Sequence, residues 1–119
     1  KFARCVIGTG AKASVPPIDG LKDVVYLTNQ TVWNLTERPA RLGVIGSGPI
    51  GSELAQAFAL LGSDVTVLNR SDRILGKEDI DAANVVKKSM ENCGVKFVTG
   101  LKFKNVSYKD QSIGFKSGI

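Results

Sequence analysis

Apolar and polar residues follow one another along the middle of the chain in a repeating order of short runs and amphipathic segments. Three short, mostly apolar runs have the length and composition of buried strands in a parallel sheet. They are residues 41–45, 65–68 and 95–98. The segments between them, 49–61 and 78–93, repeat apolar positions at helical spacing. The order strand, helix, strand, helix, strand predicts right-handed crossovers and a parallel sheet.

The first predicted helix offers two apolar sides. Leu54, Phe58 and Leu61 share one face by their spacing, so we expect them to pack against the sheet. Ala55 and Ala59 form a small-residue side that suits close packing on the strands.

Glycines and acidic residues predict where the two helices end and begin. Gly62 and Gly94 directly follow the helical segments. A glycine in the left-handed conformation commonly ends a helix. Asp79 and Asp81 lie at the start of the second helix, where the helix dipole favours negative charge.

The N-terminal part of the chain predicts short elements joined by breaks. Apolar residues predict strands over 4–7 and 24–27, and Val15-Pro16-Pro17 predicts an extended linker. Asp19-Gly20 predicts a turn, and Thr28 is expected to cap a short helix that runs to residue 35. Three apolar residues of this helix are expected to face inward: Val32, Trp33 and Leu35.

After Gly100 the pattern changes to strict alternation. Residues 101–106 alternate with period two, Lys109-Asp110 predicts a turn, and a further strand is expected from Ile113. This is typical of an antiparallel meander with one wet face. The whole pattern predicts an α/β fold. It is a Rossmann-like doubly wound parallel sheet with helices on both faces, plus an antiparallel β-meander, truncated at the C-terminal end.

Composition and charge exclude several classes of function. The 119 residues suffice for one domain, and the net charge of +5 comes with scattered lysines and no interleaved aromatic residues. A solvated basic surface is favoured over nucleic-acid binding. No apolar run approaches the ~20 residues of a membrane helix, and no secretory signal is present. We therefore expect an intracellular protein, in the cytoplasm or an organelle, with no membrane partner.

Histidine and cysteine usage argues against a catalytic centre within this chain. There is no His, which removes the commonest general base and the commonest metal ligand. Cys5 and Cys93 lie far apart and form no C-x-x-C motif. We expect both cysteines to be small buried apolar residues, and we predict no metal site and no catalytic residue here.

The segment Gly46-Ser47-Gly48-Pro49-Ile50-Gly51 matches G-x-G-x-x-G between a predicted strand and a predicted helix. Gly46 would allow the tight turn, Gly48 the approach of a pyrophosphate, and Gly51 close helix packing. Pro49 suits the first turn of a helix, where its missing N–H costs nothing. The pattern favours a phosphate-binding loop at a helix N-terminus. The alternative is an ordinary glycine-rich turn that binds no ligand.

The end of the second strand bears on which nucleotide is bound. An acidic residue there would bind the ribose diol of NAD, but the position holds the neutral Asn69, followed by Arg70. Arginine suits a 2′-phosphate, so Arg70, Arg73 and Lys77 favour NADPH. In the alternative, Asn69 accepts the diol of NADH and Arg73 pairs with a nearby surface carboxylate, Asp72 or Asp79.

Several blocks in order resemble the pyridine nucleotide–disulfide oxidoreductases, the flavoproteins that include mercuric reductase, dihydrolipoamide dehydrogenase and glutathione reductase. Ile7-Gly8-Thr9-Gly10-Ala11 is similar to the family's Ala-Thr-Gly segment, and residues 16–21 resemble the link that follows it. Residues 41–62 resemble the nucleotide fingerprint and its helix. Residues 65–68 and 70–75 resemble the next strand and its exit.

The resemblance implies a domain arrangement and a role. Residues 1–20 would be the tail of a FAD domain and its linker, and residues 21–119 an NAD(P)H-binding domain. Hydride would pass from NADPH or NADH to FAD, which the rest of the protein would mainly bind. The FAD domain of the same full-length chain is the implied partner, in a homodimer. The redox cysteine pair and the C-terminal His-Glu pair of the family are both missing from this chain.

Two sets of residues are then expected at the cofactors. Glu53 matches the family's glutamate near the nicotinamide; otherwise it is a first-turn glutamate that favours the helix dipole. The full predicted cofactor-binding set is Gly46, Ser47, Gly48, Pro49, Ile50, Gly51, Glu53, Asn69, Arg70, Arg73, Lys77, Thr9 and Gly10.

Two positions depart from the family's pattern. Pro49 stands where many members have a tyrosine, and a proline there is similar to the mercuric-reductase-like branch. Gly76 stands where NADPH-using glutathione reductase has a second arginine, so Arg73 or Lys77 would have to substitute.

Two other functions are alternatives to this interpretation. A non-catalytic module that binds or senses NAD(P) is one alternative. The other is a methyltransferase-type domain that binds S-adenosylmethionine.

Overall fold

Three parallel strands form the central sheet. They are β1 (Arg41–Ile45), β2 (Asp64–Leu68) and β3 (Lys96–Val98), in the order β1-β2-β3. Ile45 lies opposite Leu68, which lies opposite Val98, so the strands end at a common edge. The structure, a computed structural model, describes residues 1–109 and 112–118. The three strands predicted for the parallel sheet, and the parallel α/β arrangement, are confirmed.

Two helices connect these strands and contact each other. α1 (Pro49–Leu60) follows β1, and α2 (Ile80–Asn92) follows β2. Gln56 Nε2 lies 3.4 Å from Ser89 Oγ, which joins α1 to α2. Both crossovers step in the same direction, and right-handed crossovers of this kind place both helices on one face. The predicted helices on the opposite face are not among the described residues, so that part stays a prediction.

The small-residue side of α1 faces the sheet. Ala55 is fully buried, and Phe58 and Ala59 are partly buried against the core. Leu54 is only half-buried. Leu61 is 66% exposed, so its predicted inward position is wrong. It follows the last helical residue, where the chain has already begun to turn away from the sheet.

Both helix ends follow the predicted chemistry. Gly62 has φ 94° and Gly94 has φ 90°, the left-handed conformation that ends a helix. The carboxylate of Asp79 accepts the N–H groups of Asp81, at 2.9 Å, and Ala82, at 3.2 Å. Because Asp79 is the N-cap, α2 begins later than the sequence pattern predicted.

The main core lies between the sheet and the two helices. Val65 and Val67 of the central strand and Met90 of α2 are fully buried. Side chains of this kind each stabilise the fold by about 1.5–3 kcal/mol when buried. The buried members of the core are Ala55, Val65, Val67, Ile74, Leu75, Ala83, Met90 and Val95.

A second apolar cluster joins the N-terminal segment to a β-hairpin. The hairpin consists of β4 (Lys102–Lys109) and β5 (Ser112–Gly118), paired antiparallel. Val106 N–H donates to the Asp19 carbonyl at 2.8 Å. The cluster contains Ile18, Leu21, Val24 and Val106. The predicted meander is confirmed, except that Asp110, in the predicted turn, lies outside the described residues.

Two of the predicted strands are wrong. Residues 4–7 form no strand, and Val6 and Ile7 are 94% and 83% exposed. A strand needs a hydrogen-bonded neighbour, and no described residue pairs with this segment. Residues 24–27 also form no strand, because the preceding chain turns through a 3-10 helix at Leu21–Asp23. Among the described residues, the bridge to the hairpin from this part of the chain lies earlier, between Asp19 and Asn105.

The predicted helix over residues 28–35 is reduced to a single 3-10 turn, Val32–Asn34. The Thr28 carbonyl accepts from Thr31 N–H and Val32 N–H, so Thr28 opens a turn and does not cap a helix. Val32 is buried, as predicted. Trp33 is 73% exposed, and its indole N–H donates to the Asn29 carbonyl, so its predicted inward packing is wrong. Leu35, 38% exposed, also does not pack inward.

The two cysteines differ from each other in burial. Cys5 is exposed, so its predicted burial is wrong, because the segment that holds it packs on no described residue. Cys93 is half-buried, with Sγ 3.7 Å from Gln56 Nε2. Among the described residues, no helix is both long and apolar enough to cross a membrane.

Candidate functional site

The glycine loop leaves the sheet at the carboxyl end of β1. Gly46 has φ 96°, a conformation that side chains rarely adopt, and its N–H donates to the Leu68 carbonyl at 2.8 Å. The loop therefore turns sharply away from the strand while it stays anchored to β2. This is the edge at which α/β sheets usually bind their ligands.

Close packing explains the third glycine of the motif. A Cβ built on Gly51 would overlap the Gly46 carbonyl oxygen and lie 3.3 Å from its carbon and 3.6 Å from Val44 Cγ1. The first turn of α1 therefore lies directly against the loop and the strand. A side chain at this position would push the helix away from both.

Gly48 has a different environment from Gly51. Its backbone has φ −72° and ψ 179°, which any residue can adopt. A Cβ built there has nothing within 4 Å. Neither conformation nor internal packing demands glycine at this position, so the open space beside it is available to a ligand.

The N-terminus of α1 leaves backbone donors without an internal partner. Gly48 is the N-cap and supplies no side-chain cap, and Pro49 has no N–H. Ser52 N–H is the first to donate within the helix, to the Gly48 carbonyl at 2.9 Å. The N–H groups of Ile50 and Gly51 therefore have no intrahelical acceptor. Together with the helix dipole, they can bind an anion.

Glu53 lies further along the helix than its alternative role requires. It is exposed, and it follows the first turn of α1, which contains no acidic residue. The interpretation of Glu53 as a first-turn glutamate at the helix dipole is therefore wrong, because the helix begins at Pro49. Glu53 lines a groove of about 310 Å³ between α1 and α2. The groove is lined by Pro49, Ser52, Glu53, Gln56, Leu75, Glu78, Val86 and Met90.

Asn69, at the end of β2, is buried and fully engaged through its amide nitrogen. It is 9% exposed, and Nδ2 donates to the carbonyls of Ser71 and Arg73, each at 2.9 Å. These bonds fold the chain that follows β2 back on itself. Asn69 thus lies at the predicted site, with both amide hydrogens used inside the loop.

Arg73 is held by main-chain groups of the same loop. Its Nη2 donates to the Gly76 carbonyl at 2.6 Å and to the Glu78 carbonyl at 3.2 Å. The expected alternative pairing with Asp72 or Asp79 is wrong, since no such ion pair occurs in the described part of the chain. Main-chain carbonyls are nearer acceptors for this side chain.

Arg70 and Lys77 have side chains that extend into solvent. Both are exposed, and neither side chain makes a hydrogen bond or an ion pair with any residue that the structure describes. They therefore add positive charge to the loop after β2, with neither cation in an ion pair with a described carboxylate. A phosphate at this edge would find donors there that need not break existing bonds.

Leu75 joins the loop after β2 to the glycine loop. Its N–H donates to the Ser47 carbonyl at 2.9 Å, and it has φ 48°, which is rare for a leucine. Ser47 and Ser52 are both buried nearby, and Ser52 Oγ donates to the same carbonyl at 3.4 Å. Sequence reasoning missed Leu75, because no residue-type signal marks a leucine with positive φ. It missed Ser52 because the Ser47 carbonyl that accepts from it becomes a neighbour only in the folded loop.

Thr9 and Gly10 lie apart from this arrangement. The first ten residues are all exposed. No hydrogen bond joins Thr9 or Gly10 to the glycine loop among the described residues. The Leu75–Ser47 bond thus joins the two loops that hold the predicted residues of 46–51 and 69–77. Thr9 and Gly10 lie outside this arrangement.

Comparisons with known proteins match nearly the whole chain. A family model described as pyridine nucleotide-disulphide oxidoreductase matches residues 1–118. Mercuric reductase from Lysinibacillus sphaericus is 44% identical over 103 residues, which is 87% of this chain and 19% of that protein. The chain therefore spans about a fifth of the length of the curated relatives that it matches.

Solved structures give the same result. The Cu(II) complex of a C-to-S mutant of the HOCl-induced flavoprotein disulfide reductase RclA from Escherichia coli has a TM-score of 0.85 and 33% identity, over 92% of this chain and 25% of that chain. An engineered water-forming NADPH oxidase bound to NADPH has a TM-score of 0.78 and 28% identity, over 92% of this chain and 26% of that one. The Rossmann-like fold prediction is confirmed.

Proposed function

Since the chain belongs to the pyridine nucleotide-disulphide oxidoreductase family, we propose that it is the NAD(P)H-binding domain of a longer FAD-dependent oxidoreductase. The domain would comprise residues 21–119, and residues 1–20 would be the end of a FAD domain and a linker. Bound NAD(P)H would supply a hydride to the flavin. The observation that carries the proposal is the uncapped N-terminus of α1 beside the open space at Gly48.

The pyrophosphate of the dinucleotide would bind at the glycine loop. The N–H groups of Ile50 and Gly51 supply donors, and the missing side chain of Gly48 leaves room for the phosphate oxygens. An anion at a helix N-terminus gains about 0.3–1 kcal/mol from the dipole, and up to ~2 kcal/mol where it is partly buried. Direct hydrogen bonds from the N–H groups add to this.

The chain after β2 supports NADPH over NADH. Asn69, Arg70 and Ser71 place a neutral residue, an arginine and a serine in succession. The engineered NADPH oxidase carries Asp→Ala, Ala→Arg and Met→Ser changes at three consecutive positions, which produce the same order of residue types. The exposed guanidinium of Arg70 would pair with the 2′-phosphate, and the missing carboxylate removes a repulsion. Lys77 would add charge to the same side.

The nicotinamide end would extend from the glycine loop past Pro49 towards Glu53. Both residues line the groove between the helices, and Ile50 is 54% exposed next to them. Thr9 and Gly10 would contact the FAD domain or its cofactor. Their exposure fits residues whose partners lie in another part of a longer protein.

The proposed partners follow from the family. The FAD domain of the same chain would face the nicotinamide, and the longer protein would be an intracellular homodimer. The proposal includes no redox cysteine in this chain, and it leaves the reaction of the flavin with its substrate to the rest of the protein.

Calorimetric titration of the complete protein with NADPH, NADH and S-adenosylmethionine tests the proposal. We expect NADPH to bind more tightly than NADH, and S-adenosylmethionine not to bind. A Gly48→Val variant should lose both dinucleotides, because its branched side chain fills the pyrophosphate site. Ala57→Val, which adds the same branching to an exposed position of α1, is the matched control and should bind normally.

Three outcomes would contradict the proposal. Binding of S-adenosylmethionine alone would indicate a methyltransferase-type domain. Dinucleotide binding by the complete protein without reduction of a flavin would favour the sensing module, and unchanged binding by Gly48→Val would reject the glycine loop as the site.

A further inference from the structure

The loop after β2 contains four residues predicted at the adenosine end of the dinucleotide, Asn69, Arg70, Arg73 and Lys77, and two of them are already engaged inside the loop. We propose that Asn69 and Arg73 are positioning residues that hold residues 70–78 in shape, and that their side chains do not bind the 2′-phosphate. The inference rests on the proposed function, because it assigns roles within the same site. Arg70 is then the arginine of this loop that meets the ribose phosphate.

The amide nitrogen of Asn69 is used within the loop. An asparagine amide has two hydrogens, and Nδ2 donates them to the Ser71 and Arg73 carbonyls, each at 2.9 Å. Carbonyl oxygens only accept hydrogen bonds, so the nitrogen must face them. Asn69 is also only 9% exposed. It has no amide hydrogen left to donate to a 2′-phosphate, whose oxygens accept hydrogen bonds.

The guanidinium of Arg73 also donates within the loop. Its Nη2 bridges the carbonyls of Gly76, at 2.6 Å, and Glu78, at 3.2 Å. Asn69 fixes the first half of the loop and Arg73 fixes the second half. Arg73 takes part in both sets of hydrogen bonds. Its carbonyl accepts from Asn69, and its side chain donates to the Gly76 and Glu78 carbonyls.

Two main-chain hydrogen bonds attach the loop after β2 to neighbouring parts of the fold. Gly100 N–H donates to the Ser71 carbonyl at 3.1 Å, which ties the loop to the exit of β3. Leu75 N–H donates to the Ser47 carbonyl at 2.9 Å, which ties it to the glycine loop. A continuous set of hydrogen bonds therefore fixes where Arg70 stands relative to the pyrophosphate site.

Matched Arg→Ala variants of the complete protein test these roles. We expect Arg73→Ala to weaken NADPH and NADH by similar factors, so that their ratio of dissociation constants changes less than about twofold. Arg70→Ala should weaken NADPH about tenfold or more and leave NADH nearly unchanged, since it removes charge-assisted bonds to one phosphate. Arg73→Lys keeps the positive charge and some donors, and should recover part of the loss for both nucleotides.

A selective loss of NADPH in Arg73→Ala would overturn the inference, because it would show a direct contact with the 2′-phosphate. Asn69→Asp provides an independent arm. A carboxylate cannot donate to the two carbonyls, so it should weaken both nucleotides. A gain of NADH affinity in this variant would show that position 69 contacts the ribose.

Hydrogen exchange in the nucleotide-free protein separates the two proposals. We expect the peptide over residues 70–78 to exchange faster in Arg73→Ala and Asn69→Asp than in wild type, and at the wild-type rate in Arg70→Ala. Unchanged exchange in Arg73→Ala and Asn69→Asp would reject the positioning role of Asn69 and Arg73. A wild-type protein that binds neither nucleotide would instead reject the proposed function, whatever the exchange rates.

Discussion

The N–H of Leu75 donates a 2.9 Å hydrogen bond to the carbonyl oxygen of Ser47, and this bond joins the loop after β2 to the glycine loop after β1. The first of these loops is proposed to recognise the ribose, and the second the pyrophosphate. Their spacing is fixed in the protein before any ligand binds. Preorganisation of this kind reduces the entropy that binding must overcome.

Removal of the Arg70 side chain should change nucleotide preference and leave the fold intact. Arg70 is exposed and makes no side-chain bond within the described residues, so Arg70→Ala should leave the melting temperature within about 1 °C, since surface changes of this kind rarely alter stability. The NADPH dissociation constant should rise about 10- to 100-fold, as expected for lost charge-assisted bonds. Calorimetry with both nucleotides measures the effect.

The control for this prediction removes the same charge elsewhere. Lys88 is exposed on α2, away from the loop after β2. Lys88→Ala should leave both dissociation constants unchanged. An equal loss of NADPH affinity in both variants would indicate a general effect of net charge and contradict a specific role for Arg70.

Gly76→Arg should strengthen NADPH binding. A Cβ at Gly76 has nothing within 4 Å, and the bond that Gly76 makes to Arg73 uses its main-chain carbonyl, which the substitution retains. The engineered NADPH oxidase also carries a Pro→Arg change after its Arg-Ser pair. We expect NADPH affinity to rise about threefold or more, in line with one added surface charge interaction. Gly76→Gln is the uncharged control, and an equal gain there would contradict the electrostatic explanation.

Asp79→Ala should lower stability without changing nucleotide binding. The Asp79 carboxylate caps α2 through Asp81 N–H and Ala82 N–H, and loss of such a cap costs about 0.5–2 kcal/mol. The free energy of unfolding from urea titration measures this cost. Asp79→Asn keeps a good N-cap and should be nearly neutral. A stable Asp79→Ala variant would show that the cap contributes nothing.

Gly51→Val should prevent normal folding or lower stability strongly. Its side chain would overlap the Gly46 carbonyl, and forcing atoms into a packed site costs about 1–3 kcal/mol or more. Thermal unfolding followed by circular dichroism measures the loss. Wild-type stability in this variant would mean that α1 can move away from the loop without cost.

The elements predicted correctly from the sequence depend on local chemistry. Gly62 and Gly94 end their helices because a left-handed residue is needed directly at those points, and Gly46 turns the chain for the same reason. Short, mostly apolar runs located the three strands, because strands of a parallel sheet are covered on both faces. These signals lie within a few residues of the feature that they predict.

The wrong predictions depend on distant partners or on main-chain geometry. Trp33 and Val6 are apolar, and the sequence cannot show that no described residue covers them. The prediction that Asn69 and Arg73 bind the nucleotide stays a prediction, and it rests on their residue types. The carbonyls that accept from their side chains become neighbours only when the loop has folded, so residue type alone could not show these bonds.

A Gly48→Ser variant tests the central claim most directly. Gly48 is the N-cap of α1 in an extended conformation, and serine is a favoured N-cap residue whose oxygen accepts the first-turn N–H groups. The substitution should therefore keep or raise the free energy of unfolding while it occupies the donors proposed for the pyrophosphate. We predict a stable protein that has lost NADPH and NADH binding by about 100-fold or more. Wild-type affinity for either nucleotide in this variant would contradict the assignment of the glycine loop.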